Sequence, residues 1–403
     1  MKNKGISPII LQSIKETNYK SILYMIEESS KISRTEISNI TALSPATVTN
    51  ACDKLLNAGY IREISRGFSL SGRKPIFLEI NPDGGEVIGV IIYKNMIRVA
   101  ISNLKSEIIS CSSQKITDDS SIDSIVSSLI EAAIFDYKPK NILGIGVTVE
   151  WIYDFASRKS LPNHNINEEH LKKLLEDKFA YPVCIEKYPD LCALAESSFY
   201  YAGAYNNLLY LNFDDELSAG VIVNNTILKN PRGNINNVSH LNFRHDGPPC
   251  ACGRNGCTHS YCSTKALVQN AIHGVISNQS RELPIICNNN LNNIDEFSIL
   301  EAIKRGDNFC NKILDDFTDY IITFMDTLSQ LYFPEIIILG GKINIFKDIL
   351  PDLIMNKIKL SNYSAVQKCI IDFSHFNEFL AIKGICKATS LYSFLNLNLE
   401  EKG

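Results

Sequence analysis

Four side chains of the types that bind metal ions lie close together in one segment of the sequence. One imidazole and three thiols, from His240, Cys250, Cys252 and Cys257, follow the spacing H-x9-C-x-C-x4-C, and three glycines in the same stretch allow tight turns. Soft thiolates and a borderline imidazole select zinc over magnesium or calcium. Four protein donors leave no open position for a catalytic water, so the pattern predicts a structural zinc site.

The alternative is that these cysteines are small buried residues without a metal. Eight other cysteines are scattered singly through apolar segments, as in an ordinary protein core in a reducing compartment: Cys52, Cys111, Cys184, Cys192, Cys287, Cys310, Cys369 and Cys386. Cys250, Cys252 and Cys257 instead crowd with His240 into one Gly- and Pro-rich loop, which favours the metal site.

Length and composition are those of a globular chain with two or three domains. The 403 residues are 45% hydrophobic and 21% charged. No apolar run approaches the roughly 18 residues of a membrane helix, and charged residues interrupt the first apolar segment before a signal-peptide core can form. We therefore expect a cytoplasmic protein.

Charge is distributed unevenly along the chain. Residues 1–80 carry 11 Lys and Arg against 7 Asp and Glu, whereas the rest carries 29 against 37. The basic N-terminal segment is where a polyanion would bind.

Three helices are predicted in the basic segment. The first covers residues 19–28. Ser33 and Glu36 form a capping-box pattern that starts a second helix ending near Ile40. A third helix begins at Ser44 as N-cap and Pro45 as first residue, and Gly59 ends it.

The second and third helices have the order of a helix-turn-helix. The third would act as the recognition helix, because small hydroxyl and amide side chains near its start suit contacts with phosphates and base edges. The predicted contact residues are Ser44, Ala46, Thr47, Thr49, Asn50 and Lys54.

A β-wing is predicted after these helices. Strand-like runs at 60–65 and 75–80 flank a basic tip that carries Arg66, Arg73 and Lys74, which can reach a minor groove. The alternative is a packing module with a solvated hairpin. The agreement of capping, spacing, wing and charge favours DNA binding.

This segment resembles the winged helix-turn-helix of the ROK family (repressors, open reading frames and kinases). The resemblance rests on SRTEISNITALSPATVTNACDKLLNAGYI and SGRKP. It implies a DNA-binding domain over residues 1–82, and Arg34 matches the family's second-helix arginine, which adds it to the predicted DNA-binding residues.

The rest of the chain alternates between strands and helices. The pattern predicts a βββαβα unit over residues 87–200 and its repeat over 207–394, including helices at 190–200 and 343–359 and a final helix at 378–394. The order resembles the duplicated, actin-like (ribonuclease H-like) α/β fold of ROK proteins. It implies lobes at 86–205 and 206–403 with a cleft between them, and the final helix is placed to pack on the first lobe.

The cysteine loop is the most specific part of the resemblance. Family members have a GExGH motif followed by CxCGxxGC, whose His and three Cys bind zinc. The resemblance therefore implies the same zinc ligands as the spacing: His240, Cys250, Cys252 and Cys257.

The phosphate-binding loops of family kinases are altered in this chain. The DxGGT loop falls on residues 91–95, where neither the acid nor the glycines remain. The GxGxGAG loop falls on residues 214–220, where acidic side chains replace glycines. Gly340 and Gly341 match the family's adenosine-side turn but equally suit an ordinary turn between a strand and a helix.

The family's catalytic Asn-Asp pair aligns with Lys187 and Tyr188. A tyrosine with a pKa of about 10 is a poor general base at neutral pH. Asp190 lies two positions away, too far to replace the base without misplacing it, and we expect it to stabilise its helix N-terminus instead.

The sugar-binding set is also altered. The glutamate of GExGH corresponds to Asn237, and the glutamate after the cysteine motif to His259. A different polar pocket can be built from the candidate effector-binding residues Asn163, Tyr188, Asn237, His240 and His259. Asn163 can equally be an ordinary loop asparagine.

These features predict a ROK-type transcriptional regulator, a repressor, whose kinase-derived body serves for oligomerisation and for sensing a sugar or sugar-phosphate effector. A homodimer or homotetramer on a palindromic, AT-containing DNA operator is expected, since each chain carries one recognition helix. One alternative is an active sugar kinase with a DNA-binding appendage. Another is a regulator gated by protein contact or by oxidation of the cysteine loop.

Overall fold

The computed structural model describes residues 18–29, 31–64, 76–93, 96–116, 121–149, 153–154, 159–160, 166–214, 217–229, 238–360, 364–375 and 380–397. The chain forms two compact units. The first comprises Met1–Trp151, Asn163–Leu191 and Glu378–Gly403, and the second Ile152–Pro162 and Cys192–Asn377.

The N-terminal part of the first unit is a winged helix-turn-helix. Its elements are α1 (Asn18–Ser29), β1 (Ile32–Ser33), α2 (Arg34–Thr41), α3 (Pro45–Asn57), β2 (Ile61–Ile64) and β3 (Phe77–Ile80). β3 pairs antiparallel with both β1 and β2. The third strand, β1, was missed in the sequence because two residues show no periodicity.

The predicted starts of α2 and α3 are confirmed. The Glu36 backbone N–H donates to Ser33 Oγ (3.3 Å), and the Ser33 N–H donates to the Glu36 carboxylate (2.8 Å), which completes the capping box of α2. Ser44 Oγ accepts from the Thr47 N–H at 3.1 Å and caps α3. The three helices enclose a common core with the wing, with fully buried side chains at Ile22, Leu23, Ile26, Ile37, Val48, Leu55 and Leu78.

A five-stranded sheet follows in the first unit, with strand order β10-β7-β4-β5-β6. Its strands are β4 (Glu86–Ile92), β5 (Met96–Asn103), β6 (Ile108–Lys115), β7 (Ile142–Val149) and β10 (Val183–Lys187). β4, β7 and β10 are parallel, whereas β5 and β6 are antiparallel additions. The helices between these strands are α4 (Ile122–Tyr137) and α5 (Glu168–Phe179), and α6 (Tyr188–Ala195) follows β10.

The last helix, α13 (Leu380–Leu395), belongs to the first unit and packs on β4 and β7. Glycines in these strands allow its close approach. A Cβ atom at Gly146 would lie 1.9 Å from Thr389 Oγ1, and one at Gly89 would lie 2.7 Å from Cys386 Sγ. α13 also contacts α1, so one helix packs on both the sheet and the winged helix-turn-helix.

The second unit repeats the same sheet topology, with order β13-β12-β11-β14-β15. Its strands are β11 (Leu208–Phe213), β12 (Leu217–Val223), β13 (Thr226–Ile227), β14 (Ile336–Gly341) and β15 (Ile370–Phe373). Two short strands, β8 (Tyr153–Asp154) and β9 (Lys159–Ser160), form a separate antiparallel pair. The helices of the second unit are α7 (His259–Cys262), α8 (Thr264–Ile276), α9 (Glu282–Ile286), α10 (Glu296–Lys304), α11 (Asn308–Tyr332) and α12 (Leu350–Leu360).

The repeated topology confirms the predicted fold class, a winged helix-turn-helix followed by a duplicated actin-like α/β domain. The helix predicted over residues 343–359 was wrong in its first half. A 3₁₀ turn covers Lys342–Phe346, and α12 starts only at Leu350. Pro351 explains the break, since proline fits the first turn of a helix but clashes with a carbonyl one turn earlier.

The helix predicted over residues 190–200 also differs. It begins earlier, at Tyr188, and its last turn, Glu196–Tyr200, is a π-helix.

Among the described residues, no helix combines the length and the apolar character needed to cross a membrane.

Candidate metal centre and DNA-binding surface

The four predicted metal ligands lie together in the second unit. Their donor atoms are all within 4.8 Å of one another. The sulfurs of Cys252 and Cys257 are 3.5 Å apart, and Cys250 Sγ is 3.6 Å from His240 Nδ1. Metal–ligand bonds of about 2.0–2.3 Å place neighbouring donors of a tetrahedron about 3.5–3.8 Å apart. The group can therefore hold a metal ion with the geometry that zinc prefers.

Backbone hydrogen bonds and two left-handed glycines shape the loop around these donors. The Cys250 N–H donates to the Arg254 carbonyl, and the Gly256 N–H donates to the Pro248 carbonyl, both at 2.8 Å. Gly253 and Gly256 have φ values of 86° and 69°. A Cβ atom at Gly256 would lie 1.5 Å from the carbonyl oxygen of Arg244, so this position requires glycine.

The thiols of the cluster do not ionise alike. Burial alone would raise the pKa of Cys252, but hydrogen bonds from Arg254 and from the neighbouring thiols lower it to about 7. Burial and the Cys252 thiol raise the pKa of Cys257 to about 12. Burial and the nearby Arg254 lower the pKa of His240, which keeps its imidazole neutral, as a metal ligand must be.

The metal loop is tied to the surrounding fold on both sides. Before the loop, Ser239 Oγ donates to the carbonyl of Leu217 on β12. After it, Thr258 directly precedes α7, and its Oγ1 hydroxyl donates to the Val238 carbonyl. His259, at the start of α7, has its ring centroid 6.4 Å from that of His240. A metal here would therefore connect β12, through the segment at Val238–His240, to the start of α7.

The positions aligned with the kinase base lie at the end of β10 and the start of α6. Lys187 Nζ is 2.9 Å from Glu168 Oε1, an ion pair within the first unit. Tyr188 is buried at the first residue of α6, and Asp190 is buried in the first turn of that helix. The side chains at the aligned pair are thus a paired lysine and a buried phenol.

A carboxylate lies on the glycine turn at the end of β14, whose last residue is Gly341. Asp214 Oδ1 accepts from the Lys342 N–H at 3.1 Å, and its Oδ2 accepts from Asn212 Nδ2 at 2.8 Å. Gly341 has φ 81°, and a Cβ atom there would lie 2.8 Å from Asp214 Oδ1. The backbone N–H after the turn thus already binds an anionic group of the chain itself.

The predicted recognition helix, α3, presents a polar exposed stripe. Ala46, Thr49, Asn50 and Lys54 are exposed, as is the capping residue Ser44. Thr47 is half-buried, and its hydroxyl lies 2.8 Å from Ser44 Oγ. Thr49 Oγ1 donates to the Pro45 carbonyl at 2.8 Å, so this hydroxyl is hydrogen-bonded within the helix.

Arg34, at the first residue of α2, lies between two carboxylates. Its Nη1 is 2.9 Å from Glu63 Oε1 on β2, and its Nη2 is 3.3 Å from Asp53 Oδ1 on α3. Sequence reasoning did not find Asp53 and Glu63, because separations of 19 and 29 residues carry no local signal.

Several predicted site residues lie outside the described residues. They are Arg66, Arg73 and Lys74 at the wing tip, and Asn163 and Asn237 of the candidate effector site. Their roles remain predictions.

The fold and the two sites are those of a regulator class in which a winged helix-turn-helix precedes an α/β domain of the sugar-kinase type. The ROK family profile matches residues 87–387, and a winged helix-turn-helix DNA-binding profile matches residues 19–62. The chain belongs to the ROK family.

Known relatives cover most of the chain. The xylose repressor of Caldicellulosiruptor bescii is 29% identical over 359 residues, covering 87% of this chain and 90% of the relative. A crystal structure of a ROK family transcriptional regulator, a homologue of the Escherichia coli Mlc protein, has a TM-score of 0.78 at 23% identity and covers 97% of this chain and 100% of that chain. A ROK hexokinase from Thermus thermophilus has a TM-score of 0.63 at 18% identity, covering 76% and 98%. The fold is therefore shared by regulators and kinases.

Proposed function

We propose that the protein is a DNA-binding transcriptional repressor that acts in the cytoplasm. The observation that carries this proposal is the exposed polar stripe on α3, a capped recognition helix within a winged helix-turn-helix. The similarity to a xylose repressor over 87% of the chain supports the same role. In this proposal residues 1–82 bind DNA, and the lobes at 86–205 and 206–403 serve assembly and sensing.

We infer that the kinase-type body does not transfer phosphate. Phosphoryl transfer requires a base for the attacking hydroxyl and a cradle for the phosphates. The base position holds the buried Tyr188 beside the paired Lys187, and burial in a protein core does not make a phenol a better base at neutral pH. On the nucleotide side, the Asp214 carboxylate would repel a triphosphate at the glycine turn.

The metal site is assigned to one structural zinc ion bound by His240, Cys250, Cys252 and Cys257. The donor distances and the low pKa of Cys252 support this assignment. Because four protein donors complete a tetrahedron, the ion would stabilise the loop and would not activate water.

One recognition helix per chain reads one half-site, so the active form is assigned as a homodimer or homotetramer on a palindromic operator. For a sugar or sugar-phosphate effector, the candidate contact residues remain Asn163 and Tyr188 in the first unit and Asn237, His240 and His259 in the second. Xylose is the first sugar to test, because the relative is named a xylose repressor.

DNA binding is tested by selecting duplexes from a random pool on the full-length protein and titrating the enriched duplex at several salt concentrations. We expect a palindromic consensus. Arg73→Ala should lower the affinity and reduce the slope of log K against log salt by about 0.9, the value of one lost phosphate contact. Failure of the wild-type protein to enrich any sequence would refute the proposal.

The enzyme alternative is tested with the same preparation. A coupled assay of ATP consumption over common hexoses, pentoses and amino sugars should show no turnover. Turnover that Asp190→Asn abolishes would establish the kinase alternative. A thermal-shift screen with the same sugars would identify an effector, since a ligand that binds only the native state raises the melting temperature.

A further inference from the structure

The recognition face of α3 carries an acidic residue among its DNA-facing side chains. Asp53 follows Asn50 by three residues and Thr49 by four, so the three side chains lie on one face of the helix. Its side chain is 54% exposed. A carboxylate at this position faces the same polyanion that the helix must approach, which disfavours binding unless a cation neutralises it.

Arg34 is the cation that neutralises it. Its guanidinium pairs with Asp53 on one side and with Glu63, which is 41% exposed on β2, on the other. Hydrogen bonds to both carboxylates raise the pKa of Arg34 despite its partial burial. The three residues connect α2, α3 and the wing strand β2, so they also set the position of the recognition helix relative to the wing.

The orientation of the guanidinium leaves little for a phosphate. A phosphate contact from arginine normally uses two parallel N–H donors. Here one N–H of Nη1 and one of Nη2 are directed to the two carboxylates, and Nε is buried and has no hydrogen-bond partner among the described residues. The side chain as a whole is 25% exposed.

We propose that Arg34 is a positioning residue, not a DNA contact: it clamps Asp53 and Glu63, offsets one of their two negative charges on the DNA-facing surface and orients α3 against the wing. This inference rests on the proposed DNA-binding function. It replaces the expectation that Arg34 itself contacts DNA. It assigns the acidic residues a structural role that persists in the complex with DNA.

The test uses full-length variants and the duplex enriched on the wild-type protein. Arg34→Gln leaves two uncompensated carboxylates and should lower the affinity at least about tenfold. The triple variant Arg34→Gln/Asp53→Asn/Glu63→Gln removes all three charges but keeps amide side chains that can hydrogen-bond between α2, α3 and β2. It should bind within about threefold of wild type, with the same slope of log K against log salt.

The matched control is an exposed ion pair of the same unit, Lys178 with Glu131, whose atoms are 2.8 Å apart on α5 and α4. The variant Lys178→Gln/Glu131→Gln should bind as wild type does. Circular dichroism melts of every variant establish that each is folded at the temperature of the titration.

A triple variant that remains as weak as Arg34→Gln, with a slope reduced by about 0.9, would show that Arg34 contacts a phosphate and would overturn the inference. An Arg34→Gln variant that binds like wild type would overturn it as well. If the wild-type protein retains no duplex at all, the proposed DNA-binding function is refuted, and the inference with it. That outcome differs from one in which the wild type binds DNA but the triple variant does not regain affinity, which refutes the inference alone.

Discussion

Removal of one partner from the buried ion pair between α13 and α1 should destabilise the first unit severely. Lys387 Nζ lies 2.5 Å from both carboxylate oxygens of Glu27 and 3.9 Å from Glu28 Oε1. The side chains of Lys387 and Glu27 are each only 9% exposed. Truncating one member of such a pair leaves an uncompensated buried charge, which costs about 3–5 kcal/mol.

We therefore expect Lys387→Met to lower the free energy of unfolding by roughly 3–5 kcal/mol. With an m-value of about 3 kcal/mol/M, the urea midpoint would fall by about 1–1.7 M. Urea denaturation followed by far-UV circular dichroism measures this shift. The double variant Glu27→Leu/Lys387→Met should recover most of the loss, because an apolar pair of similar volume carries no desolvation penalty.

The same pair predicts a pH dependence. Burial alone would lower the pKa of Lys387, but Glu27 and Glu28 raise it above its usual value. A raised pKa in the folded state means that the stabilisation is complete below the unfolded value of about 10.4 and is lost as the pH rises through the higher folded value. Wild type should lose stability in that alkaline range more steeply than the double variant.

The control is Lys172→Met, because Lys172 lies 3.8 Å from Glu176 in a solvent-exposed i,i+4 pair. It should change the midpoint little, as surface pairs generally do. Two results would contradict the interpretation that each charge of this buried pair needs the other: a loss of unfolding free energy below about 1 kcal/mol for Lys387→Met, or no recovery of that free energy in the double variant.

Three further predictions address the metal loop, a helix cap and the recognition helix. Gly256→Ala should reduce the bound zinc measured by atomic emission to a small fraction of one ion per chain, whereas Gly253→Ala, which has open space around a Cβ atom, should keep more of it. Asp307→Asn should destabilise the second unit by about 1–3 kcal/mol in urea titrations. Burial alone would raise the pKa of Asp307, but its carboxylate accepts hydrogen bonds from five donors, which lower the pKa below its usual value. The stabilisation that these bonds provide is therefore complete above about pH 4 and is lost as the pH falls through the lower pKa of the folded state. Asn50→Ala should weaken binding to the enriched duplex by about 1–3 kcal/mol and relax the consensus at one base pair, with the slope of log K against log salt unchanged. An equal loss of affinity for all duplex sequences would count against a contact between Asn50 and a base.

Local chemistry accounts for what could be predicted without the structure. The capping box at Ser33 and Glu36 and the N-cap at Ser44 act within four residues, so their residue types identify the helix starts. The metal ligands are also readable, since three of the four lie within eight residues and form a specific donor set. Periodicity predicted both βββαβα units, although Pro351 displaced the start of α12 and the helix expected from residue 190 begins at Tyr188.

The sequence by itself determined the elements, the fold class and the metal loop of this protein. The tertiary structure alone decided which charges meet. Lys387 reaches Glu27 across 360 positions, and Asp214 reaches the turn at Lys342 across 128. Arg34 meets Asp53 and Glu63 only because α2, α3 and β2 pack together. Such pairs depend on the three-dimensional placement of distant elements, which neither hydrophobic period nor local spacing encodes.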